Sequence, residues 1–301
     1  MSEQIVVDGL TKVYPKVRAV DDLSFTVEPG RVTGFLGPNG SGKTTTLRMI
    51  VNLVTPTDGV ATIGGRRYVD LDRPLSTVGT LLEASSAHRG RSAYNHLRIV
   101  CDSAGYPQRR ADEVLDMVGL TSVGRRSFRS FSLGMRQRLG IAAAMIGDPR
   151  VLLLDEPANG LDPEGIHWMR EFLRVLAAQG RTVLVSSHLL AEVQQLADEV
   201  IIIAHGRLVA QGRTEDLVAQ HAQITVRVRT PQPDALAAAV HPLGATTRLE
   251  PDGAMIITGL AAPVVGRAAL QAQIELHELV GTRPDLERVF LTLTQGKAGL
   301  M

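Results

Sequence analysis

Eight consecutive residues constrain this chain more than any other feature: Gly37-Pro38-Asn39-Gly40-Ser41-Gly42-Lys43-Thr44. The spacing is G-x-x-x-x-G-K-[ST], set between the apolar run Val32–Leu36 and a helix-like run that begins at Thr45. A strand turning tightly into a helix aims successive backbone N–H groups at one point, where the open helix end favours an anion. Glycine lets the backbone wrap phosphate oxygens that a Cβ would block. Lys43 can then reach the β- and γ-phosphates, and the Thr44 hydroxyl suits Mg²⁺. An ordinary glycine-rich turn needs no such flanking strand and helix. The motif predicts binding of a nucleoside triphosphate.

Size and charge narrow the context. At 301 residues the chain is long enough for one large domain and a smaller one. A formal charge of +1 gives no bulk electrostatic case for a nucleic-acid partner, and none is expected. Cys101 is the single cysteine, so no internal disulfide is available; it reads as a small buried thiol. No apolar run approaches the roughly 18 residues that cross a bilayer, and Met1-Ser2-Glu3-Gln4 is unlike a signal peptide. Any membrane role is therefore expected to run through a partner chain.

Apolar runs at 5–7, 23–27, 32–36, 60–63, 151–154, 182–186 and 200–203 read as strands. Helical patterns occupy much of 93–123, broken at Gly105-Tyr106-Pro107, and then 135–145 and 163–179. Strands alternating with helices predict an α/β domain over residues 1–220, with a mostly parallel sheet. Beyond residue 221 the order is strand, helix, two strands, helix, short strand and a last helix at 286–293. That order predicts a small α+β domain of the split βαβ, ferredoxin-like kind.

The segment Val151-Leu152-Leu153-Leu154-Asp155-Glu156-Pro157 puts two carboxylates at the end of an apolar strand, where α/β sheets place ligands. Asp155 suits Mg²⁺, which demands hard oxygen donors. Glu156 is placed to orient and deprotonate an attacking water. A strand that merely ends in surface acids is the competing reading, and the phosphate loop weighs against it.

With Phe131-Ser132-Leu133-Gly134-Met135-Arg136-Gln137, the chain resembles the ATP-binding subunits of ABC transporters, whose signature is Leu-Ser-Gly-Gly-Gln before a helix. The resemblance covers about residues 1–220, with motifs in the family's order, and implies a P-loop ATPase fold with N-terminal antiparallel strands and a helical subdomain near 85–145. It makes Gly37, Pro38, Asn39, Gly40, Ser41, Gly42, Lys43, Thr44 and Thr45 the phosphate-binding set. It also implies that Tyr14 stacks on adenine, where a core aromatic is the rival reading, and that Asp162 lies in the loop Asn159-Gly160-Leu161-Asp162-Pro163. His188 would contact the γ-phosphate and hold the water and Glu156. In the family, two ATP-binding domains face head to tail, so Ser132 and Gly134 would meet ATP held by a second subunit, identical or not. A separately encoded transmembrane permease subunit and a place on the cytoplasmic face of the membrane follow from the same resemblance.

Two departures stand out. The signature has Leu133 for the usual glycine and Met135 for the usual glutamine. Glu83 replaces the usual glutamine at a position that touches Mg²⁺ and the attacking water. A carboxylate about 4 Å from a phosphate oxygen costs roughly 4 kcal/mol at an effective dielectric of 20, so Glu83 is expected to face the metal or solvent. These features resemble the branch that exports antibiotics and lantibiotic-like peptides. The alternative is a soluble ABC-type ATPase acting on ribosomes or DNA. Against it, the ribosome-acting type resembles two cassettes in one chain, and the DNA-repair type carries a coiled coil or zinc-binding cysteines.

Overall fold

The computed structural model describes residues 3–82, 88–221, 224–282 and 286–295. Its chain divides into two units, one running to Thr214 and the other spanning Glu215–Thr292. In the first unit the strands are β1 (Ile5–Tyr14), β2 (Val17–Val27), β3 (Val32–Leu36), β4 (Asp58–Ile63), β5 (Val78–Leu81), β6 (Val151–Asp155), β7 (Thr182–Ser187), β8 (Glu199–Ala204) and β9 (Arg207–Arg213). The helices are α1 (Lys43–Ile50), α2 (Pro74–Thr77), α3 (Ala93–Ala104), α4 (Arg109–Met117), α5 (Leu133–Ala144), α6 (Pro163–Ala178) and α7 (Leu190–Leu196), with α8 (Thr214–His221) leading out.

The main sheet runs β5-β6-β7-β3-β8-β9, parallel except for the edge strand β9. A separate antiparallel sheet has the order β2-β1-β4. β1 and β2 extend beyond the runs read from sequence because they close a hairpin, with Tyr14 opposite Val17.

Side-chain alternation explains the layering. Successive residues of a strand face opposite sides, so Val151 and Leu153 point one way while Leu152 and Leu154 point the other. Val151 and Leu153 join Phe35, Leu184, Ile201 and Ile203 with Leu47 and Ile50 of α1 and the apolar face of β1 and β2. Leu152 and Leu154 join Val183 and Val185 with Leu97, Leu115, Leu139 and Leu173 from the helices on the opposite side. A sheet covered on both faces suits the nearly unbroken apolar runs of these strands. Each fully buried Leu or Val contributes about 1.5–3 kcal/mol of transfer free energy. Cys101 is fully buried in the second of these cores, and burial raises its thiol above the ordinary range.

The second unit carries β10 (Thr225–Arg229), α9 (Pro233–Val240), β11 (Thr246–Leu249), β12 (Met255–Thr258), α10 (Ala262–Gln271) and β13 (Glu278–Thr282); α11 (Leu286–Gln295) follows. Its antiparallel sheet has the order β11-β12-β10-β13, the ferredoxin-like arrangement expected from the sequence. Val226, Val228 and Ile257 pack with Leu236, Val240 and Val265. Arg227 and Arg229, alternating with the two valines, both pair with Glu278 and Asp252.

Candidate active site

Three neighbouring parallel strands end together. Asp155 of β6 lies opposite Ser186 of β7, and Ser187 lies opposite Leu36 of β3, directly before the phosphate loop. This register brings residues from three separate stretches of sequence to one sheet edge, where open α/β sheets bind their ligands.

The loop after β3 wraps into α1. Gly42 caps the helix in the left-handed region, at φ 104°. A Cβ there would lie 2.5 Å from the Ala19 carbonyl oxygen, and one on Gly37 would lie 2.4 Å from Ser41 Oγ. Only glycine fits either position. The loop is also braced from outside: the Gly206 amide donates to the Ser41 carbonyl, and the Asp21 amide of β2 donates to the Gly206 carbonyl. Ser41 Oγ is buried and has no hydrogen-bond partner among the described residues. A buried hydroxyl of this kind, in a cradle of free helix-end amides, fits a phosphate oxygen.

Lys43 is 7% exposed and donates from Nζ to the Gly37 carbonyl at 2.7 Å. Burial pushes its ammonium below the ordinary lysine value, opposed by the nearby Glu156 and Asp155 carboxylates. Nζ lies 3.8 Å from Glu156 Oε1. Thr44 Oγ1 donates to Asp155 Oδ2 at 2.6 Å, and Ser186 Oγ donates to Asp155 Oδ1. A hydroxyl and a carboxylate side by side form a hard-oxygen donor set that fits Mg²⁺.

Glu156 sits in the left-handed region at φ 50°, uncommon for a residue with a Cβ. Such strain costs about 1–3 kcal/mol and persists only where the surroundings hold it. Here the Glu156 amide donates to both the Ser186 carbonyl and Ser186 Oγ. Its carboxylate meets His188 Nδ1 at 2.7 Å, and the His188 amide lies 3.3 Å from the same oxygen. The pair forms a carboxylate–imidazole dyad beside the Lys43 ammonium, suited to polarise a water next to a phosphate.

Ser132, Gly134 and Asp162 do not join this cluster. They line a cavity of about 480 Å³, together with Arg138 and Gly160. Ser132 Oγ caps α5 by accepting from the Met135 amide, and Asp162 caps α6 by accepting from the Gly165 amide. Tyr14 ends β1 at the hairpin turn, 38% exposed, with Lys12 Nζ 5.2 Å from its ring centre. Glu83 lies outside the described residues.

Sequence reasoning passed over two residues. Ser186 holds both Asp155 and the Glu156 amide, yet it reads as one polar residue at the end of an apolar strand. Gln137, 5% exposed, donates from Nε2 to the carbonyls of Glu156 and Asn159. A buried amide inside an otherwise apolar helix face was the available signal.

A mixed α/β sheet with a phosphate loop at its carboxyl edge is the fold of a P-loop ATPase. The ABC transporter domain family matches residues 20–159, and a domain family of unknown function, DUF8746, matches residues 224–287. The bacitracin transport ATP-binding protein BcrA of Bacillus licheniformis is 42% identical over 70% of this chain and 70% of its own length. The daunorubicin/doxorubicin resistance ATP-binding protein DrrA of Streptomyces peucetius is 34% identical over 96% of this chain and 92% of its own. A solved ATP-binding subunit of an ABC transporter superposes with a TM-score of 0.65 at 29% identity, covering 72% of this chain and 92% of that one. The chain belongs to the ABC transporter family, as an ATP-binding, ATP-hydrolysing subunit. Among the described residues no helix is long and apolar enough to cross a membrane.

Proposed function

We propose that this chain is the motor of an exporter for a drug, antibiotic or peptide, working through a separately encoded permease at the cytoplasmic face of the membrane. The observation that carries the motor is the meeting of Lys43, Thr44, Asp155, Glu156 and His188 at the ends of β3, β6 and β7. The exporter reading is supported by relatives whose names attach them to bacitracin transport and daunorubicin resistance.

The loop from Gly37 to Thr45 cradles the phosphates of ATP, and Tyr14 stacks on adenine. Lys43 neutralises charge on the β- and γ-phosphates. Thr44 and Asp155 would hold Mg²⁺, with Glu83 as a further oxygen donor. When bound, the metal would supply positive charge to offset that developing on the phosphates. Glu156 accepts a proton as the water oxygen attacks the γ-phosphorus, and the bond to the β–γ bridging oxygen breaks. His188 holds that carboxylate in line.

Ser132 Oγ and the Gly134 amide donate to the γ-phosphate of ATP held by a second subunit, whose facing loop brings Asp162 to the same interface. ATP then clamps two subunits, and hydrolysis releases them. The test is transport into vesicles containing the cognate membrane subunit, with a panel of drugs and peptides. Uptake of one class that requires ATP and intact Glu156 is the expected result. ATP-dependent association with ribosomes or DNA, without transport, would overturn it.

A further inference from the structure

Leu133 occupies the space that any side chain at position 160 would need. A Cβ built on Gly160 would lie 2.1 Å from Leu133 Cδ2, 2.3 Å from Cγ and 3.0 Å from Cβ. The first two distances lie far inside any non-bonded contact, and the third, to Cβ, is fixed by the backbone of α5 whichever rotamer the leucine takes. The fit runs the other way as well. A Cβ on Gly134 would meet the Gly160 carbonyl oxygen and Leu161 Cδ2, each at 3.3 Å. One turn further along the helix, Gln137 Nε2 donates to the Asn159 carbonyl at 3.2 Å and to the Glu156 carbonyl at 3.4 Å.

Three residues on one face of α5 therefore grip the loop that begins at Glu156 and ends at the α6 cap, Asp162. Two of the grips are ordinary: a backbone approach at Gly134 and an amide clamp at Gln137. The third is a size match between a large side chain, still 52% exposed, and a residue with none. Leu133 is one of the two departures in the signature, and Gly160 is its steric counterpart in a segment 27 positions further along the chain.

We infer that Leu133 is a positioning residue for hydrolysis, fixing the 156–162 loop to the start of α5 through a leucine-into-glycine fit. It acts by keeping Glu156 and Asp162 in register with Ser132 and Gly134, so that a phosphate held at α5 and the carboxylate that activates water move as one body. The inference rests on the shared-site reading proposed above.

The test compares the full-length wild type with Gly160→Ala, Leu133→Gly and the double variant, measuring kcat and KM for MgATP hydrolysis and the melting temperature. Gly160→Ala is expected to lower kcat by about tenfold with KM within about threefold, the mark of a lost transition-state arrangement rather than lost binding. Leu133→Gly, which can introduce no clash, is expected to lower kcat by a few-fold, about three to five. The double variant should recover to about the level of Leu133→Gly, although the left-handed backbone at position 160 (φ 77°) still disfavours alanine. Rescue of a damaged variant by a second damaging change supports the fit. An active wild type in which Gly160→Ala is harmless, or in which the two losses simply multiply, overturns it. If Gly160→Ala does not fold, an unchanged kcat in Leu133→Gly overturns it equally. A wild type with no ATPase activity at all fails the shared-site reading instead, and this inference with it.

Discussion

Of the nine buried polar side chains described in the first unit, five, Ser41, Lys43, Thr46, Ser186 and Ser187, gather around the ends of β3, β6 and β7. Ser41 Oγ and Gln137 Oε1 lack partners among the described residues, and Glu156 holds a left-handed backbone. In the second unit Thr225 is the one buried polar side chain among those described, and its arginines and carboxylates pair on partly exposed ground. Burying polar groups costs free energy unless their bonds are made, so a fold that concentrates them at one sheet edge has a reason there. The second unit shows the inexpensive alternative: apolar core inside, charges outside. Desolvated polar groups converge on the chemistry in the first unit; left-handed backbone alone does not distinguish the two, since Gln273 of the second unit also has it.

The sharpest way to break this contrast is at Glu156. Glu156→Gln is expected to lower phosphate release by at least about a hundredfold, the size of a lost general base. Binding of ATP should persist and trap a dimer visible by size-exclusion chromatography; a monomer with ATP bound would sink the shared site. Lys43→Ala should cost about a hundredfold in hydrolysis, comparable to removing one preorganised donor, and should weaken ATP retention in equilibrium dialysis.

A cut of similar energy in the second unit should read out differently. Ile257→Ala removes a fully buried side chain and should cost about 2–4 kcal/mol of that unit's stability in urea. Its KM for MgATP should not move; a loss of ATP affinity would contradict the division of labour.

The smallest effect concerns acid. Hydrogen bonding to Arg227 holds the Asp252 carboxyl below its ordinary value. A depressed carboxyl contributes stability above its unfolded value and loses it as pH falls through the folded one. Protection factors of the β10 and β12 amides, corrected for the intrinsic exchange rate, should therefore fall on acidification, and Asp252→Asn should flatten that dependence. No change in slope would leave the arginine–carboxylate pairs without a stabilising role.

Much of this was legible beforehand, for reasons that differ by residue. Val32–Leu36, Val151–Leu154 and Thr182–Ser186 are covered on both faces, so they read as unbroken apolar runs. The dyad of Glu156 and His188 was recoverable because each follows such a run. The amino-terminal half of β2 escaped notice because, Val20 apart, its residues are exposed or half-exposed in a hairpin, with no clean alternation. Edge strand β9 does not stand out on the same ground, since all seven of its residues are exposed or half-exposed. Ser186 and Gln137 act through bonds to backbone groups that become neighbours only on folding. The fit of Leu133 to Gly160 is invisible in one dimension, because neither residue is unusual until the two are seen touching.

The bracing of the phosphate loop carries a consequence for how tightly nucleotide is held. Ser41, Gly206 and Asp21 tie the loop to β2 by main-chain bonds that involve no ligand atom. A loop shaped in advance surrenders little conformational freedom when triphosphate arrives, so the entropy of ordering falls mainly on the incoming molecule. Affinity would then answer to changes in the rear strand, far from any atom that meets ATP.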